Sequence, residues 1–577
     1  MPKLFSSFIW LNIAQFLTAL NDNLYKLLLV FFLIDLQGEA HSNTILSLAG
    51  AVFVIPFLLF ASVAGTLADR FSKRSIIYVT RITEILTTSL GVIAFHFQSV
   101  LGGYTVLFMM ALQSAIFSPC KYGIIPELVP TTKISHFNGI ITATTYLAII
   151  LGTFLASFLT EVTHKNFVIS GLVCLFIAIM GLLSTLGIEK TKPQAARTKV
   201  STRFVYDIFK TLQKARKQRY LVVTLIFGAY FLFIGSYTQL NIIPFTLQSL
   251  HLSGVQGGYL FLMTAIGIGV GSYLAGNLSG KEVELGFVPL AAFGIMLCFL
   301  GLYFFASYFF VVVPLLIMVG VFGGFYIVPV DAFIQIASPD RDRGQNVATG
   351  NFLSFVGVVL ASGLLAVLGN GLKLSAAGGF LIVGLITFVI GIALLLLYAD
   401  QVLRLIIAIW ARHFLRIRVV GENRIRPHHA VLLVAARSSW LDTFIVMATL
   451  PRLIRYIVPI DRRKQKAALL YKLLWMIPIE KEFFSPIGPP TLKAIRKELE
   501  SGHSVCLMQP VALSSTTLEE WERALVELLK DIEVPVVPIH ISKKHPSPNH
   551  ATLLSQLNSL RKGVIKISYG GPNSKGY

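Results

Sequence analysis

A few charged side chains interrupt long apolar stretches of this chain, where a charge is costly to bury. Asp22 and Lys26 lie one helical turn apart in the first stretch, and Asn23 stands between them. Ionisable groups inside a membrane span mark function by default. Residues four apart on a helix are neighbours, so Asp22 and Lys26 could pair. Two interpretations stay open: a transport site, or a structural ion pair that fixes the first helix.

A second cluster of polar residues lies at the end of the fourth apolar stretch. Lys121 lies near the end of this stretch, Tyr122 follows it, and Glu127 stands just beyond. An ammonium can meet a phosphate as a point charge, which makes Lys121 a candidate for binding an anionic group. The alternative is that its side chain snorkels to the membrane surface. Further polar candidates, for which a structural role is the leading interpretation, are Asn138, Gln239, Asn241 and Asp331.

The loop after the second apolar stretch carries glycine, acid and bases at fixed spacing in GTLADRFSKR, residues 65–74. Gly65 permits a close helix approach, and Asp69 can cap the next helix or pair with an arginine. The bases expected to hold a gate are Arg70, Lys73 and Arg74. A generic basic loop is the alternative, but the spacing coincides with the predicted helix boundary. The motif resembles the loop signature of the major facilitator superfamily.

The elements that position these residues are predicted to be membrane helices. The 577 residues are 55% hydrophobic and 13% charged, against about 25% charged in an average soluble domain. Apolar stretches near the roughly 20 residues that cross hydrocarbon recur twelve times. They lie at 5–34, 44–66, 75–97, 103–125, 137–160, 167–188, 221–249, 256–278, 287–306, 309–330, 346–368 and 376–398. The first is interpreted as a spanning helix and not as a cleaved signal.

The break at 189–220 divides the stretches into six plus six and is strongly basic. The positive-inside rule therefore places this loop and both termini in the cytoplasm. Within it, Phe204 to Tyr220 is predicted to be an amphipathic helix on anionic lipid. The net charge of +21 is then loop charge and does not indicate nucleic-acid binding. Two six-helix halves suit an alternating-access transporter with its site between the halves.

Several short segments of residues 5–398 resemble the lysophospholipid transporter family of the major facilitator superfamily. The matching residues are Asp22-Asn23, Ser118-Pro119, Lys121-Tyr122-Gly123, Glu127-Leu128 and Asn138-Gly139. The resemblance implies a flippase of a bacterial inner membrane that moves lysophospholipids, such as lysophosphatidylethanolamine, from the outer to the inner leaflet. Physically, a zwitterionic head group needs a few charges such as Asp22 and Lys121, and its acyl chain needs apolar lateral gaps.

The character of the chain changes after residue 398. Residues 399–417 mix basic and apolar residues at helical spacing, which suits an interfacial linker helix, and 418–577 alternate β-rich and helical runs. This pattern predicts an α/β domain. The predicted strands are Ala430–Ala435, Ser504–Met508 and Val534–Ile541, and the predicted helices are Thr491–Glu500 and Leu518–Leu529.

Residues 418–541 resemble the glycerolipid acyltransferases that re-acylate lysophospholipids. Arg437 stands where that family has its catalytic histidine, while Asp442 is kept, and Gln509-Pro510-Val511 replaces the acidic second motif. An arginine stays protonated and cannot be a general base, a loss that typically costs 10²–10⁴-fold. The sequence therefore predicts a pseudoenzyme in which Arg437 and Asp442 pair. Weaker alternatives are His428 or His429 as base and Ser438 as nucleophile.

Three functions follow as hypotheses. The leading one is a lysophospholipid flippase whose inactive tail binds lipid, through a retained cleft or through bases such as Arg462, Arg463, Lys464 and Lys466, or docks a separate acyltransferase or acyl-activating enzyme. The others are an active transporter-acyltransferase and a facilitator of a small polar solute. The four cysteines, Cys120, Cys174, Cys298 and Cys506, show no metal spacing, and no metal or cofactor is predicted.

Overall fold

The structure is a computed structural model of the chain, which divides into two compact units, residues 1–394 and 395–577. The residues that it describes are 2–38, 42–194, 204–218, 220–252, 254–279, 283–420, 430–437, 441–449, 454–460, 476–480, 489–501, 503–510, 534–543 and 564–569.

The first unit is a bundle in which twelve of the described helices are long and apolar enough to cross a membrane, as the sequence predicts. Its first half contains α1 (Pro2–Gln37), α2 (Ser42–Arg70), α3 (Lys73–His96), α4 (Val100–Gly123), the short α5 (Ile125–Leu128), α6 (Ile134–Val162) and α7 (Phe167–Thr185). A 3₁₀ turn, Thr131–Lys133, joins α5 to α6. Helices suit lipid because they satisfy their own backbone hydrogen bonds.

The second half repeats this order after a connecting helix. The connecting helix is α8 (Phe204–Ala215), and α9 (Leu221–Ser249), α10 (Gly254–Leu278), α11 (Phe287–Phe304), α12 (Phe309–Ala337), α13 (Arg343–Ala366) and α14 (Ala376–Leu397) follow. Helix α12 continues beyond the predicted end at residue 330, so Asp331 lies on a helix.

We call the end of the bundle with the loops at 71–72, 124–133 and 338–342 the basic end, and the end with the turns at 97–99, 163–166 and 367–375 the far end. At the basic end the halves meet along two seams, α2 with α13 and α6 with α10. Each seam relies on glycine. A Cβ on Gly65 would lie 2.8 Å from Ala348, and one on Gly139 would lie 2.5 Å from the carbonyl oxygen of Ser272. A larger side chain at either position would force the halves apart.

Inside the second half, α10 and α12 pack backbone against backbone along what we call the glycine spine: Gly267, Gly271, Gly320 and Gly324. A Cβ on Gly267 would lie 2.1 Å from the carbonyl oxygen of Ile317, and one on Gly324 would lie 2.2 Å from the amide nitrogen of Ser272. No side chain separates the two helices at these points, so they pack as one solid element.

The second unit contains a seven-stranded mixed sheet in the order β1-β7-β6-β2-β5-β3-β4. Its strands are β1 (Arg416–Val420), β2 (Leu432–Arg437), β3 (Ile454–Ile460), β4 (Met476–Glu480), β5 (Ser504–Pro510), β6 (Val536–Lys543) and β7 (Val564–Tyr569). Neighbouring strands run parallel except for β6 and β7. The predicted α/β class is confirmed, and β2, β5 and β6 overlap the three predicted strands.

Three described helices accompany this sheet: α15 (Ala399–Phe414), α16 (Leu441–Thr449) and α17 (Pro489–Glu500). Helix α15 overlaps the predicted linker, yet Ala411 is buried in the core beside Val446 and Val537 of the second unit. Its other face exposes Ile406 and Ile409, as an interfacial helix does. The predicted helix Leu518–Leu529 lies outside the described residues.

Candidate functional site

A buried carboxylate stands in the middle of the first half. Asp22 on α1 is 8% exposed, and its Oδ2 accepts a hydrogen bond of 2.5 Å from the hydroxyl of Ser114 on α4. Its Oδ1 is buried with no hydrogen-bond partner within the described chain. An unmet buried acceptor is costly, so this oxygen has capacity for a donor from water or a ligand.

Lys121 brings a positive charge to the same region. It lies on α4, within electrostatic range of Asp22 in its own half and of Asp331 on α12 in the other half, and its ammonium is 4.5 Å from the ring of Tyr122. Tyr122 and Asp331 line a cavity of about 50 Å³ together with Ser354 of α13. That space can hold water but not a lipid head group. Candidates from both halves therefore converge where the halves meet, around a space that is narrow in this conformation.

Two other predicted residues of α1 have different partners. The possible ion pair between Asp22 and Lys26 is not formed: the ammonium of Lys26 lies 5.0 Å over the ring of Phe53 on α2, and Asp22 bonds to Ser114 on α4. The amide of Asn23 donates to the carbonyl of Ala19 on its own helix at 2.7 Å. Sequence spacing places side chains on one helix face, but neighbouring helices decide which partners they take.

A buried ion pair in α3 was not predicted from the sequence. Arg81 and Glu84 are 0% and 1% exposed and form a salt bridge. Arg81 also donates to the hydroxyl of Thr18, and Asn21 donates to Glu84 at 2.8 Å. Asn21 and Thr18 both lie on α1, so the pair ties α3 to the helix that carries Asp22. The available signal was an arginine and a glutamate three residues apart within an apolar span.

At the basic end, Asp69 joins the two halves directly. Its carboxylate is fully buried and accepts hydrogen bonds from the backbone amides of Gly344 at 2.6 Å and Gln345 at 3.0 Å. These amides belong to the first turn of α13, where they lack partners within the helix. A carboxylate is favoured there by the helix dipole as well. Asp69 therefore caps a helix of the opposite half, whereas the sequence suggested the next helix or an arginine.

Gly65 of the gating loop also faces α13 of the second half, whereas the basic residues of this loop contact the first half. The buried ammonium of Lys73 bonds to Glu127 at 2.6 Å, which places Glu127 at the basic end and away from Asp22. Arg70 and Arg74 lie over the rings of Phe71 and Tyr78, respectively.

A further pair of polar contacts crosses between the halves near the second seam. Asn138 on α6 and Gln335 on α12 exchange two amide hydrogen bonds of 3.0 and 2.8 Å, and His136 bonds to Asn277 at 2.6 Å. The predicted candidate Asn241 instead donates to the carbonyl of Ala376 within the second half, and Gln239 is exposed.

Helix α8 spans the first seam. Asp207 accepts a hydrogen bond of 3.2 Å from Ser62 on α2, and Lys214 forms a 3.0 Å ion pair with Asp342 before α13. Its exposed side carries apolar residues, among them Val205, Tyr206 and Phe209, as the predicted amphipathic helix requires. Together with Asp69 and both glycine seams, these contacts hold the basic end closed.

The bundle agrees with a known family of transporters. The Major Facilitator Superfamily profile matches residues 11–362, which is more than half of the chain. The chain belongs to this superfamily. It is therefore a multi-pass membrane protein, and the twelve apolar helices among its described residues form a transporter fold.

Curated relatives are similar to the chain over about three-fifths of its length. The chain is 27% identical over 357 residues to the lysophospholipid transporter LplT of Klebsiella pneumoniae subsp. pneumoniae, covering 59% of this chain and 82% of that protein. It is 28% identical over 377 residues to the lysophospholipid transporter LplT of Salmonella paratyphi A, covering 62% and 85%.

Solved superfamily structures have the same fold. The human organic anion transporter MFSD10 (TETRAN) aligns with a TM-score of 0.57 at 15% identity, covering 68% of this chain and 100% of that one. The E. coli fucose:proton symporter FucP aligns with a TM-score of 0.54 at 15% identity, covering 68% and 98%.

The second unit lies beyond the superfamily match, and its candidate residues meet at one sheet edge. Arg437 ends β2 and is the register partner of Pro510, which ends β5. Ligands of parallel sheets bind outside the carboxyl ends of the strands, so the ends of β2 and β5 lie side by side where a site is expected. Asp442 follows in the first turn of α16 and is 1% exposed. Burial raises the pKa of the Cys506 thiol, which keeps it from acting as a thiolate.

Other predicted residues of the second unit fall outside the described residues. These are His428, His429, Ser438, Val511, Arg462, Arg463, Lys464 and Lys466. The side chain of Arg437 lies outside them as well, so its predicted pairing with Asp442 stays a prediction.

Proposed function

We propose that this protein is a lysophospholipid transporter that moves its substrate from the outer to the cytoplasmic leaflet of a bacterial inner membrane, where the lipid is re-acylated. The observation that carries the proposal is the similarity to the two LplT proteins, which the chain matches over more than four-fifths of their length. The superfamily fold alone would not identify the substrate, because one fold serves many functions.

The buried charges support a zwitterionic substrate. Lys121 is the cation that would meet the phosphate, and Asp22, with its unmet Oδ1, is the acceptor that would meet the ammonium. Asp331 of the second half faces the same lysine, so binding would engage both halves together. Transport requires such a site between halves that rock against each other.

The conformation fits a state ready to receive substrate from outside. Basic loops favour the cytoplasm, so we place the basic end and both termini there. The contacts of Asp69, of Gln335 and of α8 then close the cytoplasmic side. The tight glycine contacts are confined to this part of the seams: Gly50, Gly258 and Gly363, further along the seam helices, would have no atom within 4 Å of an added Cβ.

For the second unit we propose an acyltransferase-like fold that has lost catalysis. Arg437 cannot accept the proton of a lysolipid hydroxyl, and the adjacent end of β5 carries Pro510 in a motif without its acid. The unit would retain a lipid-binding or docking role beside a separate acyltransferase or acyl-activating enzyme.

The test is leaflet-resolved uptake of labelled lysophosphatidylethanolamine into vesicles that contain the purified full chain. Asp22→Asn and Lys121→Gln should each lower uptake about ten- to hundredfold, because each removes a hydrogen bond to a charged group worth about 1.5–3 kcal/mol. Thr105→Ala on α4 is the matched control, since its exposed hydroxyl bonds only to its own helix, and it should retain uptake. If wild-type vesicles take up no lysolipid but accumulate a soluble solute, a small-solute facilitator replaces the proposal.

A further inference from the structure

A second cavity, of about 790 Å³, opens at the far end of the first half. It lies where α1 and α6 end and α7 begins, and its walls carry Asp35, Glu161 and Lys165. Asp35 stands on the same helix as Asp22, about 20 Å further along at 1.5 Å per residue. Its volume falls in the range of small-molecule pockets, about 300–1,000 Å³. The cavity is therefore separate from the central cluster and large enough for a lipid head group.

An ion pair spans the mouth of this cavity. The ammonium of Lys165 lies 2.6 Å from Oδ1 of Asp35, with the two side chains 63% and 43% exposed. Both His164 and Lys165 have positive φ, 50° and 63°, which is uncommon outside glycine. This left-handed turn between α6 and α7 brings Lys165 to α1. An exposed pair of this kind is weak and can exchange its partners for those of a ligand.

The dipoles of the helices that end or begin at the cavity wall add to the charges of these side chains. Helices α1 and α6 end at its wall, so their partial negative ends lie near Asp35 and Glu161. Helix α7 begins there, with Asn166 as its cap, so its partial positive end lies near Lys165. One side of the cavity favours a cation and the other favours an anion.

The rest of the cavity lining is mixed, with polar groups from Ser157, Thr160 and His164 beside three large apolar side chains. Phe31, Ile34 and Phe167 line the cavity beside its charged rim. On the outer surface of α6, Phe154 and Phe158 stack with their ring centroids 5.9 Å apart, and both are exposed, at 63% and 47%. Phe158 directly follows Ser157, which lines the cavity. A single acyl chain can follow the aromatic face while its head group occupies the cavity.

We propose that this cavity is an outer receiving site for a zwitterionic, single-chain phospholipid, in which Asp35 and Glu161 bind the head-group ammonium and Lys165 binds the phosphate. The inference rests on the proposed function and adds the point where substrate is first selected. Two carboxylates face one ammonium group, so a lysolipid whose head group has a phosphate but no cation is disfavoured here. Lys165 makes no such distinction, because both classes of lipid carry the phosphate.

The test measures KM and maximal rate of uptake for labelled lysophosphatidylethanolamine and lysophosphatidylglycerol in vesicles with the full chain. The double variant Asp35→Asn/Glu161→Gln should raise KM for the ethanolamine lipid about two- to fivefold and lower KM for the glycerol lipid, with maximal rates unchanged. Lys165→Gln should raise KM for both lipids. Lys373→Gln, an exposed charge at the far end of the second half, is the control and should change neither.

The outcomes separate the two proposals. Unchanged KM values in the double variant, with normal wild-type uptake, would overturn the receiving site and leave the transporter in place. A fall in maximal rate without a change in KM would also overturn it, because that pattern indicates a structural role. Absence of lysolipid uptake by the wild type would remove the proposed function and the receiving site with it.

Discussion

The two halves of the bundle share their order of helices but differ sharply in buried charge. The first half buries Asp22, Arg81 and Glu84 within its helices. In the second half, the helices α9–α14 contain only two residues of the Asp, Glu, Lys and Arg types, Asp331 and Arg343. Its core consists of aromatic and aliphatic side chains such as Phe299 and Phe380.

This difference indicates that the two halves, which share their order of helices, have different roles. The first half bears the cost of desolvating charges, supplies most candidate substrate contacts and caps α13 of its neighbour through Asp69. The second half offers close packing, with the backbones of α10 and α12 in direct contact. A repeated fold therefore does not imply a repeated site, and most of the buried charges lie in the first half.

The largest expected effect is on the buried pair of the first half. Arg81→Met leaves Glu84 buried without its cation, and this should cost about 3–5 kcal/mol of the free energy of unfolding. The double variant Arg81→Met/Glu84→Gln should recover most of that loss, because the remaining amide can still accept from Asn21. Denaturant unfolding of the purified protein in detergent micelles measures both.

The matched change in the second half is Thr387→Val. The buried hydroxyl of Thr387 bonds to Tyr230 at 2.8 Å, and its loss should cost about 1 kcal/mol. Equal destabilisation by Arg81→Met and Thr387→Val would show that buried charge does not contribute more to the stability of the first half than neutral hydrogen bonds contribute to that of the second.

A smaller effect is expected at the cap between the halves. Asp69→Asn removes the charge that stabilises the first turn of α13, and a lost cap costs about 0.5–2 kcal/mol. The closed basic end should then become about two- to thirtyfold less favoured over the open state. The rate at which a polar maleimide labels Ser354→Cys, in the cavity between the halves, measures this opening in inside-out vesicles.

The control uses the corresponding loop of the second half. Ser279→Ala should leave the labelling rate unchanged, because that hydroxyl bonds only to Ala275 of its own helix. An Asp69→Asn protein that labels as slowly as the Ser279→Ala protein would rule out a carboxylate cap as the main closing contact.

The smallest effect should come from the second unit, outside both halves. Asp442→Asn should leave the rate of lysolipid uptake unchanged, and the purified wild type should form no diacyl product from an acyl donor and lysolipid. Chromatographic separation of the lipids checks this. Acylation by the wild type that is abolished by Asp442→Asn would instead establish a transporter-acyltransferase.

The sequence predicted those features that depend on local pattern. Apolar length predicted the twelve helices, and isolated charge within them indicated Asp22 and Lys121. Contacts between residues far apart in the chain could not be predicted: the partners of Asp69 are 275 and 276 residues away. Asp22 and Lys26 do not pair, because Ser114 and Phe53, on other helices, are their partners. Arg81 and Glu84 were not predicted, although two opposite charges three residues apart within an apolar stretch mark such a pair.

The glycine spine has a consequence for how this protein can diverge. At Gly267, Gly271, Gly320 and Gly324 an added Cβ would meet backbone atoms of the facing helix, and backbone cannot rotate away as a side chain does. Every other amino acid adds a Cβ at these positions, and proline would also break the helix. Substitutions at these four positions are therefore expected to disturb the packing of α10 against α12, so the shape of the second half has little tolerance for change along this line.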